Sequence, residues 1–69
     1  MSKLVVTPET AEGVTRWCIR DEWWDGQGEY HDCEWYCMDG KFRASVSYGQ
    51  ILFFDTKIEA EFVMSGLER

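Results

Sequence analysis

Hydrophobic and polar positions alternate along most of the chain and switch to a helical period only near the C-terminus. Leu4, Val5 and Val6 form a short apolar run predicted as a strand. TPETAEG over 7–13 then reads as a turn or a single helical turn, with Thr7 as cap, Pro8 at the first helical position and Gly13 as terminator. In VTRWCIR, residues 14–20, Val14, Arg16, Cys18 and Arg20 fall on one face of an extended strand and Thr15, Trp17 and Ile19 on the other. Trp17 and Ile19 are expected to face the core.

The stretch CEWYCMDGKFRASVSY holds Asp39-Gly40 between two alternating runs, the pattern of a hairpin closed by a type I′ turn. A two-residue turn sets Met38 opposite Lys41, Cys37 opposite Phe42, Trp35 opposite Ala44, Cys33 opposite Val46 and His31 opposite Tyr48. That apolar face, Trp35 included, is expected to lie under a helix. The other face pairs Tyr36 with Arg43, Glu34 with Ser45 and Asp32 with Ser47, as a solvated sheet surface would. Gly49-Gln50 predicts a second tight turn into a strand over ILFFD, with Ile51 and Phe53 on the core face and Leu52 and Phe54 on the outer one. In TKIEAEFVMSGL, Thr56 and Glu59 have capping-box spacing, and Ala60, Val63, Met64 and Leu67 recur at i, i+3, i+4 and i+7. This predicts a helix, its apolar stripe widened by Ile58 and Phe62. Together the elements make one α+β domain over 1–69, a small antiparallel β-meander of three to four strands with one C-terminal helix packed on one face.

Composition narrows the functional classes. With 45% hydrophobic and 16% aromatic residues, the 69-residue chain is too apolar to stay disordered, and buried rings must supply much of its small core. No apolar run approaches the ~20 residues of a membrane span, and the start MSKLVVTPET lacks the apolar stretch and cleavage site of a secretion signal, so a cytoplasmic chain is expected. Three cysteines cannot all pair with one another, which fits reduced thiols rather than a disulfide scaffold. The net charge of −6 is uneven: Asp21, Glu22, Asp25, Glu29, Asp32, Glu34 and Asp39 occupy residues 21–40 without one Lys or Arg. Such a surface repels phosphate, so direct nucleic-acid binding is disfavoured and a protein with a basic surface is the expected partner.

Cys18, His31, Cys33 and Cys37 are the residue types of a zinc site, but the geometry opposes one. On an extended strand Cys33 and Cys37 stand ~13 Å apart at ~3.3 Å per residue, whereas zinc–sulfur bonds are about 2.3 Å. Cys18 falls on the face opposite Trp17 and Ile19, and no C-x-x-C knuckle is present. No metal or cofactor is expected, and the cysteines read as small buried hydrophobes. His31 and Cys33, two apart on one face, have the spacing of a base and a nucleophile, yet the surrounding carboxylates disfavour an activated thiolate. The carboxylate pairs Asp21 with Glu22 and Asp32 with Glu34 would need a substrate cleft for which so small a domain has little room. Gly26 and Gly28 lie among acids and open no helix, so they form no phosphate cradle. The chain is not expected to be an enzyme.

Recognition remains. DEWWDGQGEY, residues 21–30, is predicted as a long loop between strands, and long loops are often functional. Trp23 and Trp24 are adjacent, so in an extended segment they point to opposite sides; alternation from Trp17 and Ile19 turns Trp23 inward and Trp24 outward. One of these rings, set among Asp21, Glu22, Asp25 and Glu29, is the expected anchor for a basic partner, and the outward parity favours Trp24 over Trp23. Tyr36, Leu52 and Phe54 make a second apolar patch on the outer sheet face, which could equally serve as a homodimer contact or be covered by the N-terminal strand. The expected function is that of a non-enzymatic acidic interaction module. One concrete form is an inhibitor of the kind carried by phages and mobile elements, a DNA mimic or anti-CRISPR-like protein that blocks a basic, nucleic-acid-handling protein. The alternative is a small structural or zinc-binding subunit using Cys/His ligands.

Overall fold

A computed structural model describes residues 2–24 and 30–67, with the side chains of Ser2, Trp24, Tyr30, His31 and Asp32 outside the description. Over these residues the chain forms a four-stranded antiparallel sheet in the order β1 (Ser2–Ala11), β2 (Val14–Trp24), β3 (Tyr30–Tyr36) and β4 (Phe42–Arg43). Helix α1 (Lys57–Ser65) follows, so the architecture is the α+β meander that the alternation and the C-terminal period predict.

The first hairpin is longer than expected. Residues 7–11 continue β1 instead of forming a helical turn, and Pro8 is tolerated because β1 lies at the sheet edge, where a missing N–H need not break a ladder. Ala11 pairs with Val14 across a two-residue turn in which both Glu12 (φ 53°) and Gly13 (φ 78°) are left-handed, the requirement of a type I′ hairpin. The Thr10 and Thr15 hydroxyls hydrogen-bond at 2.8 Å beside it. At the other end β2 runs on through Trp24, so Asp21–Trp24 is strand rather than loop. Tryptophan favours strands, and the register offsets Glu22 with cations: Lys3 stands opposite it, and Arg20 forms an ion pair with it.

The Asp39-Gly40 hairpin forms, but one residue out of the expected register. Tyr36 pairs with Phe42 and Trp35 with Arg43, while Cys37 N–H donates to Lys41 O at 2.9 Å and Gly40 N–H to Cys37 O at 2.9 Å. Gly40 alone takes positive φ (79°) in this turn, so the loop is Met38-Asp39-Gly40, a turn closed by a left-handed glycine, and not a type I′ pair. A slip of one residue moves a side chain to the other face, and Phe42 accordingly joins Tyr36 instead of Cys37. Asp39 secures the turn, accepting from Lys41 N–H at 3.1 Å and from Arg43 Nε at 3.1 Å.

The second predicted hairpin does not form. Tyr48–Gln50 is a single 3-10 turn, with Ser47 N–H bonded to Gln50 Oε1 at 2.9 Å. Residues 51–54 then enter the fork where β2 and β3 diverge. Ile51 bridges Cys37 and Leu52 N–H donates to Tyr36 O at 3.1 Å on one side, while Phe54 and Trp17 exchange bonds of 2.7 and 2.8 Å on the other.

Both faces of this sheet carry buried residues. Helix α1 packs against β1 and β2 on the face of Trp17 and Ile19, where Ile19 and Ala60 are fully buried and Lys57 Nζ lies 5.8 Å from the Trp17 ring. The opposite face carries Cys18, Cys33, Cys37 and Ile51, all buried, with Arg16 stacked 4.6 Å over Phe53 and Phe53 4.7 Å from Tyr48. The Cys33 and Trp35 face is therefore not the one under the helix, contrary to expectation. Arg20 opposite Trp35 and Glu22 opposite Cys33 put those side chains on the Cys18 face.

Candidate partner-binding surface

The acidic residues expected to steer a partner divide into two groups. Asp21 is only 7% exposed, and the Glu22 carboxylate is engaged by Arg20, so neither is the free surface charge predicted for them. The cause is the continued strand: once 21–23 is paired on both sides, Asp21 lies between Leu4 and Glu34 in the sheet. Asp25 and Glu29 lie outside the described residues, as does the Trp24 ring.

Trp23 has the parity predicted for it, on the face of Trp17 and Ile19, but it is 54% exposed. The nine residues of α1 span about 13 Å, less than half the length of the eleven-residue β2, and burial by the helix stops short of this ring. Trp23 instead borders an open recess of about 300 Å³ lined also by Asp21, Cys33, Glu34 and Ala44. An indole edge and two carboxylic side chains thus meet at one end of the sheet.

Tyr36, Leu52 and Phe54 share a face as predicted, though that face is the helix-bearing one and all three are half-buried. Tyr36 packs on Phe42 with ring centroids 5.2 Å apart. Phe54 meets the helix in a groove of about 340 Å³ shared with Ile58, Glu59, Phe62 and Val63. Ile58 (79% exposed) and Phe62 (80%) were expected to widen the buried stripe, and instead project from it. Ala60 is the residue pressed on the sheet, its small side chain allowing close approach. At about 100° per residue, positions 58 and 62 point about 200° away from it. That offset was available in the sequence and identifies the two residues that pattern reading missed.

Cys18 and Cys37 are poorly suited to thiolate chemistry. Burial, then the nearby Glu9 carboxylate, pushes Cys18 up to about 11, and burial also raises Cys37. At the turn, the Arg43 guanidinium holds the Asp39 carboxyl below the usual carboxylate range. Among the described residues no three His, Cys, Asp or Glu side chains are grouped to hold a metal ion, and no helix is long and apolar enough to cross a membrane. No family model, no curated protein and no solved structure matches this chain.

Proposed function

We propose that the chain is a non-enzymatic interaction module of the cytoplasm that docks an acidic and aromatic surface on a basic, nucleic-acid-handling protein and blocks it. In this reading it is an inhibitor of the type carried by phages and mobile elements, acting as a DNA mimic or in an anti-CRISPR-like manner. The observation that supports it is Trp23: a large aromatic ring left 54% exposed beside Asp21 and Glu34, on a chain of net charge −6. Tryptophan is the most effective interface anchor, and a surrounding negative field draws in cationic partners and repels phosphate.

The test is capture from host lysate by the wild-type chain and by Trp23→Ala, at low and at high salt. The expected result is a basic nucleic-acid-handling protein retained at low salt by the wild type and lost with Trp23→Ala. Retention of no protein at either salt removes the reading. Stoichiometric zinc in the purified protein, with unfolding by chelator, would replace it by that of a metal-bound structural subunit.

A further inference from the structure

We propose that the groove between Phe54 and α1 receives a cationic amphipathic helix of a partner protein. This is a second surface, distinct from the Trp23 recess, and shares with the reading above only the positive charge of the partner. Ile58 and Phe62, one helical turn apart, are the two most exposed large apolar side chains among the described residues. With Phe54 and Val63 they wall the groove of about 340 Å³, and monomeric proteins seldom leave such a ridge to water. Side chains spaced i, i+4 form the ridge that another helix accepts between its own rows. A helix also arrives with its backbone hydrogen bonds already made, so it can lie in an apolar groove that offers no strand edge.

Charge identifies the occupant. Glu59 lines the groove, and Asp55 and Glu61, close to its lining residues along the chain, are exposed as well, which makes its surroundings acidic. Lys57, the one cation of α1, is turned to the Trp17 ring. A two-fold pair of α1 helices would set each acidic flank against its own copy, between two chains of charge −6, and like charges so placed oppose association. The same acidic surroundings repel the anionic lipid headgroups of a membrane surface. A helix with Lys or Arg flanking its apolar stripe satisfies both the groove and its surroundings.

The experiment titrates the full chain with a fluorescent Leu/Lys peptide of roughly 18 residues, long enough for five turns, its leucines at i, i+3, i+4 and i+7. A peptide of the same composition in scrambled order and a Leu/Glu peptide with the same apolar pattern serve as comparisons. The expected result is binding of the amphipathic Leu/Lys peptide alone, weakened at least ~30-fold by Ile58→Ser with Phe62→Ser and severalfold, more so at low salt, by Asp55→Asn with Glu61→Gln. Should the serine variant fail to fold, the carboxamide variant carries the test. Trp23→Ala is expected to leave this affinity unchanged, which separates the groove from the Trp23 surface. Equal binding of the scrambled peptide, absence of binding, or affinity that depends on Trp23 and not on Ile58 and Phe62 would overturn the proposal. So would a wild-type dimer in sedimentation that Phe62→Ser dissociates, since a second copy would then own the face.

Discussion

Cys18 and Ile19 are neighbours on β2, point to opposite faces, and are both fully buried. Ile19 lies beneath α1, and Ile19→Ala is expected to cost ~2 to 5 kcal/mol, enough to unfold much of a domain this small; denaturant melts give the value. Cys18 makes stability depend on pH. Its folded thiol holds the proton to about 11, whereas the ordinary thiol loses it near 9.0. The contribution is whole below about 9, falls as pH rises between these values and is gone above about 11, a loss of order 2 to 3 kcal/mol. Melts across this range should show the decline in the wild type and a smaller one in Cys18→Ala. The buried thiol should also resist alkylation in the folded protein at neutral pH.

Two elements rest on local chemistry that single substitutions can isolate. Thr56 caps α1: its hydroxyl oxygen accepts from Glu59 N–H at 3.2 Å and the hydroxyl donates to Glu59 Oε1 at 3.0 Å. Thr56→Ala is expected to cost about 1 kcal/mol and to lower helical circular dichroism before the sheet melts. The β1–β2 turn works in the other direction, because Glu12 holds a left-handed conformation (φ 53°) that disfavours an ordinary side chain. Glu12→Asn suits that turn better and should raise stability by up to about 1 kcal/mol in the same melts. The Thr56 cap was legible because it depends on residues three apart. The left-handed Glu12 was not, since it follows from the pairing of Ala11 with Val14, which the long β1 imposes.

At the scale of the whole molecule, the proposed docking assigns the net charge of −6 to approach and the exposed aromatic ring to residence. Neutralising Asp25 and Glu29 is expected to slow association with a captured partner and flatten its salt dependence, whereas Trp23→Ala should speed dissociation and cost ~2 kcal/mol or more of affinity. Surface plasmon resonance at two salt concentrations separates the two effects. Asp21→Asn and Glu22→Gln belong to a different class: Asp21 is buried and Glu22 bound to Arg20, so both should appear first as lost stability. Of the residues expected to form one acidic loop, the sheet absorbs these two and leaves Trp23 open.

What the sequence determined by itself is whatever depends on near neighbours along the chain: alternation in β2, which places Cys18 on the face away from Trp17 and Ile19, the hairpin at Asp39-Gly40 and the Thr56 cap of α1. Tertiary structure decided the rest. Whether β2 ends at Arg20 or Trp24 depends on β1 and β3 lying alongside it, since acids next to glycines read as a loop until cations and ladder partners stand opposite. Which face α1 covers depends on the β2–β3 register, because a shift of one residue exchanges the faces of every side chain in a strand and no local signal in residues 21–30 sets that shift. The fork that admits residues 51–54 is likewise a property of strands diverging in space, and it replaces a turn that Gly49-Gln50 would locally support. The exposed Ile58 and Phe62 combine both causes: the helical period assigns them to one side of α1, but only the contact of Ala60 with the sheet makes that side the outer one.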